Sequence, residues 1–278
     1  MEHDDGPRPW RFPALEGLAG LAHGVTTRAG GVSTGDFARL NVGRSTPDAP
    51  EAVAENRRRA AAALGFASFT SPRQVHGTRL VEVRAPGGTT GSGPGGKPAS
   101  EPGEADGLFT DVPGVLLGVL GADCPGVLLV DPTRRALAVV HAGWRGVAAG
   151  IVPAAVARLR ERYGCDPQHL WVAVGPGIGQ DAFEVGPEVA EALERSLAGA
   201  AAALRRGRGD RWHADLGAVI AGQAVAAGVR AGQVSQAPHC THRDGSLFFS
   251  HRRDGTRAGR HALLAGWALP RDGAGQPA

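Results

Sequence analysis

The chain has 278 residues, of which 42% are hydrophobic and 21% are charged, and its formal net charge is +3 at pH 7. These values are typical of globular proteins and exclude disordered and fibrous classes. No stretch approaches the ~18 uncharged apolar residues of a membrane helix, and the first residues lack the pattern of an export signal.

The number of cysteines and the distribution of charge indicate where the protein is located and which partners it binds. Three cysteines are a sparse and odd number, which predicts reduced thiols and a cytoplasmic protein. The arginines are dispersed and form no basic strip interleaved with aromatic residues, so nucleic acid is not expected as a partner. A membrane is not expected either, because no apolar stretch is long enough to span one.

Apolar periodicity predicts strands and helices that alternate along the chain. The predicted strands are 21–27, 79–84, 115–120, 127–130, 136–141 and 170–174. The predicted helices are 50–64, 147–163, 187–204, 213–227 and 257–266. This interleaving indicates an α/β or α+β fold with a mixed sheet.

One segment interrupts the pattern. Residues 85–104 contain almost no side chain that could enter a core, which predicts a flexible loop. Neither flank has a complete set of elements, so we interpret the loop as an insertion in a single domain over 1–278. Residues 271–278 are predicted to be a disordered tail.

A β-hairpin is predicted from the strands 127–130 and 136–140, with Pro132 and Thr133 at the centre of its turn. In that register Cys124 lies directly opposite His141. Opposed residues have Cβ atoms roughly 4.5–5.5 Å apart, close enough to share one ion or one proton. A longer turn would shift the register while keeping the two side chains near each other.

His76, in the segment RQVHG, is the third candidate. Two histidines and one thiolate fit a zinc site with an open fourth position. The alternatives are a structural His76 and a Cys124 that is a small core residue. Copper is disfavoured, because a blue-copper centre usually adds an axial methionine and the one methionine here is Met1. The chain also lacks the His-x-His pairs of multicopper oxidases.

Several motifs resemble one family, and they follow its order over nearly the whole chain. They are HGVTTRAGGVSTGDFARLNVG (23–43), ENRRR (55–59), RQVHG (73–77), ADGLFTD (105–111), GADC (121–124), VVHAGWRG (139–146), VGPGIGQDAFEVGPEV (174–189) and CTHRDGSLFFSHRRDGTRAGR (240–260). The family is that of the bacterial polyphenol-oxidase or laccase-like proteins, also described as zinc-dependent purine nucleoside phosphorylases.

The resemblance carries expectations about site, fold and activity. It implies that His76, Cys124 and His141 are catalytic residues and the ligands of Zn²⁺. It implies a layered α/β/α sandwich with mixed sheets, like the cysteine hydrolases of the cytotoxic-necrotizing-factor type. It also implies phosphorolysis of adenosine, inosine, guanosine and methylthioadenosine, with possible deamination of adenosine. The expected partners are therefore purine nucleosides and phosphate.

This chain departs from the family pattern outside the three ligands. Ser45 stands where a histidine is common, and His251 stands where a tyrosine is usual. Pro125 and Gly126 follow the ADC motif directly, and Pro238 replaces an aspartate. These departures bear on substrate preference more than on the metal.

Substrate-binding residues are expected within the matched motifs. A phosphate site needs cations, and Arg28, Arg145 and Arg253 are the candidates, with Arg57 a weaker one. Asn41 could hydrogen-bond ribose or base. In a deaminase a metal-activated water attacks the purine, and Asp123 could carry its proton.

Three alternatives use the same residues or the same fold. A metal-free hydrolase would use Cys124 as nucleophile and His141 as base on an amide-type bond, such as that of a cell-wall precursor. A copper-dependent polyphenol oxidase (laccase) would oxidise phenols with dioxygen. A non-enzymatic scaffold would keep the fold alone, and the intact ligand set argues against it.

Overall fold

Two packed sheets occupy the middle of the computed structural model, which describes residues 6–86 and 102–269. The strands are β1 (Leu21–Val25), β2 (Leu80–Glu82), β3 (Gly107–Thr110), β4 (Leu116–Gly121), β5 (Gly126–Asp131), β6 (Ala136–His141), β7 (Trp171–Val174), β8 (Glu184–Val185), β9 (Leu204–Arg206), β10 (Trp212–Ala214), β11 (Val234–Gln236) and β12 (His261–Trp267). The α-helices are α1 (Pro50–Ala62), α2 (Trp144–Ala148), α3 (Ile151–Tyr163), α4 (Pro187–Ser196), α5 (Leu216–Ala226) and α6 (His251–Asp254).

The larger sheet has six strands in the spatial order β11-β7-β5-β6-β3-β2. It is mixed, because β11 runs parallel to β7 and β2 runs parallel to β3, while the other pairs are antiparallel. A second sheet of three strands has the antiparallel order β1-β12-β4, and a small third sheet has the order β8-β10-β9.

Strand β5 shows why the larger sheet lies in the interior. Successive side chains of a strand point to opposite faces. Leu128 and Val130 pack between the two large sheets, whereas Val127 and Leu129 pack under the helices. All four are fully buried, which explains the continuous apolar run in the sequence.

Helices cover both outer faces of the paired sheets. Leu159 of α3 and Ile220 of α5 belong to the core cluster on one face of the six-stranded sheet. Ala60 of α1 packs with Leu264 of β12 on the far face of the three-stranded sheet. The predicted mixed, layered α/β fold is confirmed, and its middle layer consists of two sheets.

One predicted helix is wrong. Residues 257–266 were expected to be helical, but they end in β12, which is buried along its whole length between β1 and β4. A short apolar run that is buried on both faces has no polar stripe, so periodicity cannot distinguish strand from helix. The helix predicted over 147–163 is also divided, because Gly150 has a φ of 83° between α2 and α3.

Several predictions concern chain ends and loops. The loop predicted over 85–104 lies outside the described residues apart from its two ends, and the tail predicted over 271–278 lies outside them entirely. Within the described ranges, no helix is long and apolar enough to cross a membrane.

Candidate metal centre

His76, Cys124 and His141 come together at one side of the sheets. Their nearest ligand atoms all lie within 4.8 Å of one another, and in the described part of the chain they form the one such group of metal-ligating side chains. His141 ends β6, Cys124 lies in the turn between β4 and β5, and His76 lies in the loop before β2. His141 is buried, whereas His76 is exposed, so the group can be reached from solvent.

The hairpin forms, but in a different register from the predicted one. Gly126, not Cys124, is paired with His141, and Asp131 is paired with Ala136. The turn is two residues longer because Asp131 accepts hydrogen bonds from the backbone N–H groups of Thr133 and Arg134. Cys124 therefore lies two residues before the start of β5, and its side chain is still close to His141.

Two of the loop residues at the site have left-handed backbone conformations. His76 has a φ of 62° and Asp123, next to Cys124, has a φ of 96°. Such conformations cost about 1–3 kcal/mol in residues other than glycine and persist where surrounding contacts hold them. Asp123 is held at both carboxylate oxygens, by the Thr241 hydroxyl at 2.7 Å and the Arg252 N–H at 2.6 Å. The carboxylate expected to carry protons thus has a structural partner at each oxygen.

Asp106 organises the two histidines and is not among the site residues predicted from the sequence. Its Oδ1 lies 2.9 Å from His141 Nδ1 and accepts the His76 backbone N–H, also at 2.9 Å. Its Oδ2 accepts the N–H groups of Val75 and Gly77 at 3.2 and 2.6 Å. The available signal was an aspartate directly before a buried strand, inside the matched motif ADGLFTD.

Gly143 leaves room for the three side chains. A Cβ at this position would lie 2.8 Å from His76 Cδ2, 3.0 Å from Cys124 Sγ and 3.5 Å from His141 Cε1. A fully buried carboxylate that orients a histidine ligand is also a regular feature of metal sites. The donor set, the orienting Asp106 and this space fit a bound metal ion.

Without a metal, the site favours a thiolate beside an imidazolium. Burial raises the pKa of Cys124, but hydrogen bonds and charge from His141 and His76 outweigh burial and leave that pKa below its ordinary value. Burial lowers the pKa of His141, but Asp106 and Cys124 outweigh it and leave the pKa of His141 raised. A thiolate is the form of cysteine that binds metals and acts as a nucleophile.

The three side chains open onto a cavity of about 450 Å³. This size lies within the usual range of small-molecule sites. Arg73 and Arg260 bring positive charge to its wall, and Ser45 and His251, two positions that depart from the family pattern, also line it. Gln74 is held on one side by two 2.8 Å hydrogen bonds with the backbone of Leu120.

The arginines predicted to bind phosphate lie outside the lining of this cavity. Arg28 donates to Ala38 and Gly245 carbonyls and stacks on Phe249. Arg253 donates to the carbonyls of Thr241, His242 and Phe248 and forms an ion pair with Asp254. Exposed Arg145 lies over the Trp144 ring. The contacts of buried Arg57 include the Val42 carbonyl, the Ser71 hydroxyl and the Phe69 ring. These contacts hold loops together and pack the guanidinium groups against aromatic rings.

Asn41 is completely buried, and protein atoms occupy its hydrogen-bonding positions. Its amide nitrogen donates to Thr46 and Asp48, each at 2.8 Å. Its Oδ1 accepts the N–H groups of Gly43 at 3.1 Å and Arg260 at 2.8 Å. Asn41 therefore joins the loop after residue 41 to the start of β12.

The fold and the site define a layered α/β protein with a possible His-Cys-His metal centre. The chain belongs to the family described as multi-copper polyphenol oxidoreductase laccase, whose model matches residues 22–268. The resemblance found in the sequence motifs is thereby confirmed.

Curated relatives and a solved structure agree with this assignment. A Deinococcus radiodurans protein named purine nucleoside phosphorylase is 39% identical over 254 residues, covering 90% of each chain. Purine nucleoside phosphorylase YlmD of Geobacillus stearothermophilus is 35% identical over 262 residues, covering 93% of this chain and 94% of the relative. The crystal structure of YlmD from that organism matches with a TM-score of 0.85 and 33% identity, covering 96% of this chain and 98% of the other.

Proposed function

We propose that the protein is a zinc-dependent purine nucleoside phosphorylase. It would convert adenosine, inosine, guanosine or methylthioadenosine and phosphate into free base and the corresponding sugar 1-phosphate, with deamination of adenosine as a side activity. The observation that carries the proposal is the His76, Cys124 and His141 group in the wall of a cavity, in a chain whose relatives are named purine nucleoside phosphorylases.

His76, Cys124 and His141 would hold the ion through two nitrogens and one sulfur, a donor set that zinc accepts. One thiolate leaves Zn²⁺ with a formal charge of +1, so the bound ion would supply a Lewis acid beside the cavity. Asp106 faces Nδ1 of His141 and so leaves Nε2 as the ligand atom.

Phosphorolysis forms a bond from a phosphate oxygen to C1′ of the ribose and breaks the bond from C1′ to the purine nitrogen. The electron pair of the broken bond leaves with the base, which takes up a proton. The protein must therefore hold two reactants in line and offset the charge of the phosphate. The cavity supplies the volume, and Arg73 and Arg260 supply positive charge in its wall.

The test is to incubate the purified protein with inosine, with and without phosphate, and to assay free hypoxanthine and ribose 1-phosphate. Both products are expected only with phosphate, from protein that contains stoichiometric zinc. The same assay with adenosine and no phosphate detects deamination as inosine. Unchanged nucleoside in zinc-loaded protein contradicts the proposal.

A second candidate is a metal-free cysteine hydrolase, and the Cys124–His141–Asp106 array favours it. The array has the nucleophile, base and orienting carboxylate of a cysteine-hydrolase triad. Cys124 Sγ would attack an amide carbonyl, His141 would protonate the departing amine, and water would release the acyl group from sulfur. Amide hydrolysis that persists after chelation supports this candidate, whereas activity that returns only with added metal contradicts it.

The third candidate is the copper-dependent polyphenol oxidase suggested by the family description. It predicts strong visible absorption from a copper–thiolate bond and phenol oxidation that consumes dioxygen. A colourless protein that is equally active under nitrogen excludes it.

A further inference from the structure

We propose that Arg260 binds the phosphate cosubstrate and that Asn41 positions Arg260. Arg260 lines the cavity that also contains His76, Cys124 and His141. This inference rests on the proposed phosphorylase function and deepens it, because it replaces the arginines expected from the sequence with a different residue.

One edge of the Arg260 side chain is fixed by its own loop. Its Nη1 donates to the carbonyls of Ala258 at 2.6 Å and Gly259 at 2.9 Å. A guanidinium carries five N–H donors in a planar fork. Among the described residues no acceptor is bonded to Nε or Nη2 of Arg260. The fork therefore has donors left for an oxyanion, which arginine can bind with two parallel hydrogen bonds.

The loop around Asn41 fixes where the Arg260 stem lies. Asn41 Oδ1 accepts the backbone N–H groups of both Arg260 and Gly43. A Cβ on Gly43 would lie 2.7 Å from Cγ of Arg260, so the stem crosses a position that only glycine leaves open. Asn41 and Gly43 together direct the side chain along the cavity wall.

The other arginines lack this combination of position and available donors. Arg73 lines the cavity, but it is exposed and pairs with Glu104. Arg28 and Arg253 use N–H groups on backbone carbonyls away from the cavity. In the described part of the chain no carboxylate forms an ion pair with Arg260. Cys124 and Asp123 contribute negative charge nearby, and the N–H groups of Nε and Nη2 are left to bond an anion in the cavity.

The test compares Arg260→Met and Arg260→Lys with wild type. Arg257→Gln is the matched control, because this exposed arginine lies in the same segment and pairs only at the surface with Asp36. Two quantities are measured in each protein: the rise in Tm with added inorganic phosphate and no nucleoside, and the separate KM values for phosphate and inosine.

Charge-assisted hydrogen bonds of this kind correspond to roughly a tenfold to hundredfold change in affinity. We expect Arg260→Met to raise the phosphate Kd from the Tm series, and the phosphate KM, by that factor. Arg260→Lys keeps the charge but loses the fork, so it should show a smaller rise. The inosine KM should stay near wild type in both, and Arg257→Gln should match wild type throughout.

Asn41 acts through Arg260, so Asn41→Ser should also raise the phosphate KM while leaving the inosine KM near wild type. A parallel rise in both KM values would show a general structural role and overturn the positioning assignment. The Tm without phosphate reports whether each variant folds.

The outcomes separate the two levels of inference. If wild type releases base only with phosphate and folded Arg260→Lys and Arg260→Met keep the wild-type phosphate KM and Tm response, the Arg260 assignment is wrong and the phosphorylase proposal stands. If zinc-loaded wild type releases no base, the phosphorylase proposal is wrong, and the Tm series alone decides whether Arg260 binds phosphate.

Discussion

Replacing Asp106 with asparagine tests whether one carboxylate sets both the loop and the ligand form of His141. Asp106 accepts three backbone N–H groups and faces His141 Nδ1. Asparagine has almost the same shape, but one of its oxygens is replaced by an NH₂ group, which can only donate. Whichever way the amide is turned, at least one of the backbone N–H groups that Asp106 accepts meets a donor.

The substitution affects both the unfolding free energy of the protein and its affinity for metal. If the amide oxygen takes the Oδ2 position, it keeps the N–H groups of Val75 and Gly77, and the NH₂ group faces His76 N and His141 Nδ1. Leaving one N–H without an acceptor costs about 1–3 kcal/mol of unfolding free energy. His141 Nδ1 must then accept a hydrogen bond from the NH₂ group of the substituted side chain. This places the imidazole proton on Nε2, where the metal would bind. Losses of such orienting partners lower metal affinity about 10–100-fold.

The assay is metal affinity by competition with a zinc chelator, together with thermal unfolding with and without metal. Because the pKa of Asp106 lies below its ordinary value, the ionised carboxylate stabilises the folded protein above pH 3.8. This stabilisation is lost as the pH falls through the lowered pKa. Asp106→Asn should therefore remove that part of the acid destabilisation. A folded Asp106→Asn protein with wild-type metal affinity and an unchanged acid profile would refute the reasoning.

Three further predictions concern the same site. Gly143→Ala is expected to lower zinc content and activity, because its backbone (φ −69°, ψ 159°) accepts alanine but the added Cβ would crowd the three ligands. Gly232→Ala is the control, because a Cβ there meets open space. Equal zinc content in the two variants contradicts the prediction. Iodoacetamide should alkylate Cys124 of the metal-free protein near neutral pH much faster than Cys165, whose pKa burial raises to about 12, and equal rates measured by mass spectrometry refute this. His141 has a raised pKa, so its protonated form stabilises the folded metal-free protein below pH 6.5. This stabilisation is lost as the pH rises through the pKa of His141 in the folded state. Thermal melts of wild type and His141→Gln should converge over that window, and a constant difference contradicts the assignment.

Local sequence patterns were sufficient to predict many of the strands and helices. The runs that became β5 and β6 were recognised because short continuous apolar segments between turn residues are typical of buried strands. The same reasoning was wrong for β12, because burial between β1 and β4 comes from residues far away in the sequence. The hairpin turn was also misjudged, since it depended on the side-chain bonds of Asp131.

The sequence by itself determined the family and the three candidate ligands. Residue type carries that information, because cysteine sulfur and histidine nitrogen are common zinc ligands and the chain has only three cysteines. The motifs that contain them are also contiguous in the chain.

Only the tertiary structure decided which groups support those ligands and which arginines line the cavity. Asp106 reaches His141 across 35 positions, and Asn41 reaches Arg260 across 219. Arg28 and Arg253 looked equally suitable in the motifs, but folding commits their donors to loop carbonyls and, for Arg253, also to Asp254. The direction of a long side chain depends on the loops packed against its stem, and that packing is not encoded in any local segment.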